Sequence, residues 1–240
     1  MQLDKTREEL EDLNSMLNED RAREAYKKRC DDYCASFLPR VMGNMLIGLG
    51  NLVYGETPSY LKFRAIEVIA RVPYHSWSSA AYTLLTLFYM DEKRALRLSK
   101  TTRYAEIAQE NETMHVVVIT KFAKEFEKTG VMRHTFIPIV FAFFYFWAAY
   151  WMYLINPVWS YELNYLFEDH AYDQYGRFLE ANEKELKARP AQSVFLSWYG
   201  RSAANQYDFF CSIRNDELIH RNMSHAAILA RMHKDTSVGA

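Results

Sequence analysis

Two Glu-x-x-His pairs, each inside a segment with the apolar spacing of a helix, constrain this chain more than any other feature. The first pair is Glu112 and His115 in "NETMH"; the second is Glu217 and His220 in "NDELIH", about a hundred residues later. Residues three apart share one face of an α-helix, so each pair directs an oxygen and a nitrogen ligand to the same point. One pair is common by chance, whereas two pairs on separate long helices predict a shared metal site.

Two further glutamates complete the pattern that a di-iron four-helix bundle requires, which is one extra Glu from each of two other helices. Glu67 lies among apolar residues in "FRAIEVIARVPY", where burying an acid is costly unless it is paired or metal-bound. Glu168 follows an apolar run in "LNYLFEDHAYDQY". Either glutamate alone would be expected on a solvated helix face. Together, the candidate ligands follow one another at intervals of about fifty residues: Glu67, Glu112 with His115, Glu168, and Glu217 with His220.

The remaining pattern predicts an all-α fold. The chain of 240 residues contains only 8 glycines and 6 prolines, and it has neither strand–turn–strand alternation nor a nucleotide-binding glycine motif. We expect a ferritin-like four-helix bundle of the di-iron carboxylate class with extra membrane-contacting helices. Residues 1–40 are interpreted as an N-terminal helical arm and residues 41–240 as the di-iron domain. Four ligand-bearing helices are predicted. They run over about 59–90 with a kink at Pro73, about 102–128, from the "NP" at 156–157 to just before "ARP" at 188–190, and onward from the "SWYGRS" loop.

A long uncharged segment, 135–161, predicts contact with a membrane. It exceeds the ~20 apolar residues that span a bilayer, and it is rich in the Tyr and Trp side chains that favour membrane interfaces. A single span would place the two Glu-x-x-His pairs on opposite sides of the membrane. We therefore favour monotopic, in-plane attachment shared with the uncharged segment 41–54. A buried core helix is the alternative.

Charge and cysteine content give no support for a nucleic-acid-binding protein or a zinc site built on cysteines. The chain has 29 basic and 30 acidic residues, so its net charge of -1 gives no reason to expect binding to nucleic acid. The three cysteines are an odd number without zinc-type spacing, and we expect them to be reduced.

Several motifs from about residue 60 to 225 resemble the alternative oxidase family of di-iron quinol oxidases. The likeness is greater to the plastid terminal oxidase (plastoquinol oxidase) branch than to the mitochondrial branch. The motifs are "IEVIARVPY", "NETMH", "YLINPVWSY", "FEDHAYDQYGRFL" and "IRNDELIH". Ile66 and Val68 differ from the Leu and Thr of the family pattern around the first glutamate.

The resemblance implies two Fe ions held by the six candidate ligands and a catalytic tyrosine, Tyr175, beside them. Tyr175 lies seven residues after Glu168, close to the ~7.2 residues of two helical turns. Asn111 and Asp216 are expected to orient ligands through hydrogen bonds. Lys62 corresponds more loosely to a basic residue near the family's quinone pocket.

The implied activity is the oxidation of two quinols, plastoquinol or ubiquinol, with reduction of O2 to two waters and no proton pumping. The implied assembly is a homodimer on a thylakoid, plastid or cyanobacterial membrane, with the inner mitochondrial membrane as the alternative. Two other functions remain open from the residues alone. One is a di-iron hydroxylase of quinone biosynthesis, and the other is a non-catalytic subunit of a larger complex.

Overall fold

A computed structural model describes residues 5–126, 128 and 130–237, with the side chains of 233–237 excepted. Within these residues every regular element is helical, and the only pairing of the β type is an isolated bridge between Pro190 and Asn205. The expected all-α fold is confirmed.

Four helical segments form the central bundle. They are the pair α4 (Tyr60–Ala70) and α5 (Val72–Phe88), then α6 (Glu92–Phe126), α8 (Pro157–Ala188) and α10 (Gln206–Ser237). Helix α8 packs along α10, while α4 and α5 pack along α6. Aromatic and aliphatic side chains from all four segments fill two large buried clusters between them. Each segment therefore presents one face to a shared interior.

Local sequence signals explain where most of these helices begin. Ser59 caps α4 by accepting a hydrogen bond from the Lys62 amide at 3.2 Å, and Asn156 caps α8 by accepting from the Val158 amide at 3.1 Å. Where the sequence predicted a kink at Pro73, the structure has a break between α4 and α5 at Arg71. Pro73 lies in the first turn of α5, where its missing N–H is tolerated.

Two predicted boundaries were wrong. Helix α6 begins at Glu92, about ten residues before the predicted start, because Asp91 accepts a hydrogen bond from the Arg94 amide at 2.9 Å and no helix breaker follows. The "SWYGRS" segment was predicted to be a loop, yet its first residues belong to the short helix α9 (Val194–Tyr199). Gly200 ends α9 with a φ of 88°, a conformation that glycine adopts without steric cost. Thr129, predicted to end α6, lies outside the described residues.

The N-terminal segment packs on the bundle. Helices α1 (Arg7–Met16) and α2 (Asp20–Lys27) contact α10, and Leu17 and Tyr26 belong to one of the clusters inside the bundle. The predicted arm boundary at residue 40 falls inside α3 (Phe37–Tyr54).

Helix α7 (Ile137–Ile155) continues the π-helical turn Met132–Phe136, and together they are long and apolar enough to cross a membrane by length and composition. Only 28% of its most apolar window is buried, which does not fit a core helix. Large apolar side chains are exposed along α7 and along α3. On α7 they include Ile139, Phe143, Phe144, Trp147, Trp151 and Ile155; on α3 they include Phe37, Val41, Met45 and Leu52.

Candidate metal centre

The six predicted ligands meet inside the bundle, where four different helices hold them. Helix α4 contributes Glu67 and α8 contributes Glu168, while α6 and α10 contribute one Glu-x-x-His pair each. All six side chains are buried. The structure thus brings together side chains that are as much as 153 positions apart, from residue 67 to residue 220.

The ligand atoms form two overlapping sets. Within each set the potential ligand atoms lie within 4.8 Å of one another; the sets are Glu67, Glu112, His115 and Glu217, and Glu112, Glu168, Glu217 and His220. Glu112 and Glu217 belong to both sets, and each set adds one further carboxylate and one imidazole. Two shared carboxylates between two such sets suit a pair of adjacent cations.

Hydrogen bonding supports this fit. Buried side-chain atoms without a hydrogen-bond partner in the described structure are concentrated at the cluster: Glu67 Oε2, both oxygens of Glu112 and of Glu217, and Nδ1 of His115 and of His220. Leaving a buried polar atom unsatisfied costs ~1–3 kcal/mol. These are acceptor oxygens and ring nitrogens that point at one another, so cations between them would satisfy the whole set.

The two imidazoles present Nδ1 to the cluster. His115 Nδ1 lies 3.4 Å from Glu67 Oε2, 3.5 Å from Glu112 Oε2 and 3.5 Å from Glu217 Oε1. His220 Nδ1 lies 2.8 Å from Glu112 Oε1. On the far side of the His115 ring, Nε2 lies 2.9 Å from Asp216 Oδ2. If Nε2–H donates to this carboxylate, the Nδ1 lone pair is free for a metal.

Both residues predicted to orient ligands lie behind His115. Asn111 Nδ2 donates to Asp216 Oδ2 at 3.1 Å, and both side chains are buried. Sequence reasoning missed Arg201, whose guanidinium donates hydrogen bonds to both oxygens of Asp216. Burial opposes ionisation of Asp216, but Arg201 and His115 hold the pKa of this carboxyl below its usual range.

Two tyrosines hydrogen-bond to the ligand glutamates. Tyr175, predicted to lie beside the metals, donates to Glu67 Oε1 and stacks on Phe63 with ring centroids 4.0 Å apart. Tyr74 was missed as a site residue although it ends the quoted "IEVIARVPY" motif; it donates to Glu168 Oε1 at 2.6 Å. Asn164, one turn before Glu168, donates to the same oxygen at 3.0 Å.

Burial and the neighbouring charged groups shift the pKa values of the clustered carboxyl groups. Burial and the neighbouring Glu112 raise the pKa of Glu67 to about 7, and burial with Glu112 and Glu168 raises the pKa of Glu217 well above its usual range. Burial also disfavours the Glu112 carboxylate, yet His115 and His220 lower its pKa overall. A cluster of four buried carboxylates needs positive charge at its centre, which cations supply.

An apolar cavity of about 260 Å³ reaches the cluster from the side of α3 and α7. Glu168 and Tyr175 line its inner end, and Phe141 and Leu46 are among its apolar walls. Lys62 is buried just behind this wall. Its Nζ donates to Asn51 Oδ1 at 2.9 Å and to Gln174 Oε1 at 3.1 Å, and both of these side chains line the cavity.

A helical bundle with four buried carboxylates and two imidazoles in overlapping sets belongs to the ferritin-like class of di-iron carboxylate proteins. The family model for alternative oxidase matches residues 11–228, and the chain belongs to this family.

Among curated proteins, the chain is similar to ubiquinol oxidase 4, chloroplastic/chromoplastic, of Arabidopsis thaliana. The two are 26% identical over 182 residues, which cover 68% of this chain and 49% of the relative. The chain therefore spans about half the length of that relative.

Proposed function

We propose that this protein is a membrane-bound quinol oxidase that holds two iron ions and reduces O2 to water. The observation that carries the proposal is the pair of overlapping ligand sets that share Glu112 and Glu217 in a chain of the alternative oxidase family. Mixed carboxylate and imidazole ligands suit iron that changes oxidation state. Bound there, the iron pair supplies the redox chemistry that connects quinol oxidation to O2 reduction.

Each ligand has a defined place in this proposal. Glu112 and Glu217 would be the ligands common to both ions; Glu67 and His115 would complete one ligand set, and Glu168 and His220 would complete the other. The balanced reaction converts two quinols and one O2 into two quinones and two waters. We expect no proton pumping.

The apolar cavity is the proposed quinol site. Its walls come from α3, α4, α7 and α8, so a ring that enters between the exposed apolar helices reaches Tyr175 and Glu168. Tyr175 is the proposed catalytic residue, because its hydroxyl can hold or pass a proton between the cavity and Glu67. Lys62 acts on the quinol indirectly by holding Asn51 and Gln174 in the cavity wall.

The exposed apolar faces of α3 and α7 support monotopic membrane attachment, since an in-plane helix buries such a face at the lipid boundary. Quinol is lipid-soluble, and the cavity lies between these helices. The Arabidopsis relative is described as a chloroplastic and chromoplastic ubiquinol oxidase, and that location favours a thylakoid, plastid or cyanobacterial membrane for this chain. On such a membrane we propose plastoquinol as the reductant. Ubiquinol and the inner mitochondrial membrane are the alternatives.

We also propose a homodimer. Large apolar side chains are exposed at the end of α5 and just after it, and we propose that a second copy of the chain contacts them: Tyr82, Leu87, Tyr89 and Met90. The mass of the particle in mild detergent tests this, and a monomer contradicts it.

The proposed activity is tested by measuring iron per chain and quinol-dependent O2 uptake on the purified protein. We expect about two irons per chain and uptake with no hydroxylated quinone product. A hydroxylated ring would indicate a biosynthetic hydroxylase, and bound iron without uptake would indicate a non-catalytic subunit. Zinc alone, or no metal after iron-supplemented expression, contradicts the di-iron site.

The cavity is tested by Ala171→Trp, which places a large ring in its wall, with Ala181→Trp as the control on an exposed position of the same helix. We expect Ala171→Trp to raise the KM for quinol while iron content stays unchanged. Equal KM values for the two variants would place the quinol elsewhere.

A further inference from the structure

The carboxylate of Asp216 is the most densely bonded acceptor beside the metal centre. Besides His115, it accepts hydrogen bonds from Asn111, from the guanidinium of Arg201 and from Asn14 of helix α1. The 2.9 Å contact between Asp216 Oδ2 and His115 Nε2 sets which way the imidazole faces. Anything that moves Asp216 therefore turns a proposed iron ligand.

Arg201 is held between two carboxylates, and the second belongs to the N-terminal helix. Its Nε donates to Glu11 Oε2 at 2.9 Å and its Nη2 donates to Glu11 Oε1 at 2.7 Å. The side chain of Arg201 is only 7% exposed, and that of Glu11 is 33% exposed. A planar guanidinium that bridges two carboxylates fixes the position of both.

Glu11 also supports the other side of Asp216. Tyr199 donates from its hydroxyl to Glu11 Oε1 at 3.2 Å, and the same hydroxyl accepts from Asn111 Nδ2 at 3.1 Å. Asn111 donates in turn to Asp216. Both routes, through Arg201 and through Tyr199 with Asn111, thus begin at one carboxylate on α1 and end at Asp216.

We propose that Glu11 is a positioning residue for the metal centre, through which helix α1 holds Asp216 in place and so orients His115 toward the iron pair. The inference rests on the proposed function, since it assumes that the cluster binds iron. Groups behind a metal-ligating histidine fix its ring orientation, and their loss typically costs roughly 10–100-fold in metal affinity or activity. The sequence of α1 alone carries no signal of this role, because Glu11 is one of several acids in "REELED".

The test compares Glu11→Gln with Asp31→Asn in the full-length, iron-loaded protein. Asp31 is the matched control because it is also an N-terminal carboxylate paired with a buried arginine: its Oδ1 accepts from Arg221 at 3.0 Å. Arg221 keeps a second partner in Asp169, and neither it nor Asp31 contacts Asp216. Both substitutions are nearly isosteric and remove one charge from the same segment.

We expect Glu11→Gln to release iron to a strong ferrous chelator roughly 10-fold faster than the unsubstituted protein. We also expect a shifted electron paramagnetic resonance signal from its mixed-valent centre. Asp31→Asn should match the unsubstituted protein in both measurements. Arg201→Lys keeps the charge but cannot bridge two carboxylates through a planar fork, so it should behave like Glu11→Gln.

Equal iron release from Glu11→Gln and Asp31→Asn, with unshifted spectra in iron-loaded protein, would overturn this inference and leave the di-iron proposal intact. Absence of iron from the unsubstituted protein would overturn both. A fall in Tm shared by the two variants, without a difference in iron release, would show that the N-terminal segment only stabilises the fold and would also overturn the inference.

Discussion

The hydroxyl of Tyr175 donates a hydrogen bond to Oε1 of Glu67, a ligand candidate on a different helix, and not to Glu168 two turns earlier on its own helix. The residue therefore connects α8 to α4 at the inner end of the cavity. Its buried ring stacks on Phe63, so the aromatic contact and the hydroxyl contact have different partners. A substitution that removes only the oxygen can separate the two roles.

Tyr175→Phe is expected to retain two irons but to lose most quinol-dependent O2 uptake, because the ring packing survives and the proton-bearing group is lost. Loss of one buried hydrogen bond should lower the free energy of unfolding by only about 1 kcal/mol. Tyr172→Phe is the control, since Tyr172 packs under the Lys27 ammonium, 5.2 Å from the ring centroid. Near-normal uptake by Tyr175→Phe together with loss in Tyr172→Phe would show that the wrong tyrosine was chosen.

Removing a shared carboxylate should abolish both metal sites, whereas removing an unshared one should leave a site. We expect Glu112→Gln to hold almost no iron, because Glu112 belongs to both ligand sets. Glu67→Gln should retain up to one iron per chain in the set that contains Glu168 and His220. Iron content measured by elemental analysis decides this, and equal occupancy in the two variants would contradict the proposal that both ions would share Glu112.

Tyr74→Phe is expected to weaken metal binding without unfolding the bundle. It removes the 2.6 Å hydrogen bond that orients Glu168, although Asn164 still donates to the same oxygen. We expect a loss of roughly 10-fold in iron affinity, measured by chelator competition. Tyr161→Phe is the control, because the buried Tyr161 hydroxyl donates to Tyr153 and not to a ligand candidate. Identical affinities for the two variants would refute a role for Tyr74 at the centre.

Membrane attachment through α7 predicts that Trp151→Ser lowers binding to lipid vesicles in a co-sedimentation assay. Trp151 is 56% exposed on α7, so its indole is available to the lipid boundary. Trp198→Ser is the control, since Trp198 is 67% exposed on α9 and lies outside the proposed membrane face. If both variants bind vesicles as the unsubstituted protein does, the membrane face has been assigned to the wrong helix.

The clustering of the six candidate ligands was predictable because the two Glu-x-x-His pairs are local features of the sequence. Glu112 and His115, like Glu217 and His220, are three residues apart on one helix, and helical periodicity alone places each pair on one face. The break near Pro73 and the helix start at residue 157 were predictable for the same reason, since proline acts on adjacent backbone groups. Family resemblance added Tyr175, whose contact with Glu67 no spacing rule predicts.

The sequence by itself thus determined the four helical segments of the bundle and the face of each that carries the candidate ligands. Only the tertiary structure decided that Glu112 and Glu217 are shared by both ligand sets and that the hydroxyl of Tyr74 reaches Glu168. Only the tertiary structure connected Glu11 to Asp216, a pair separated by 205 positions, through Arg201. The physical reason is that such contacts depend on how whole helices pack, and the register between packed helices is set by many side chains in the core at once.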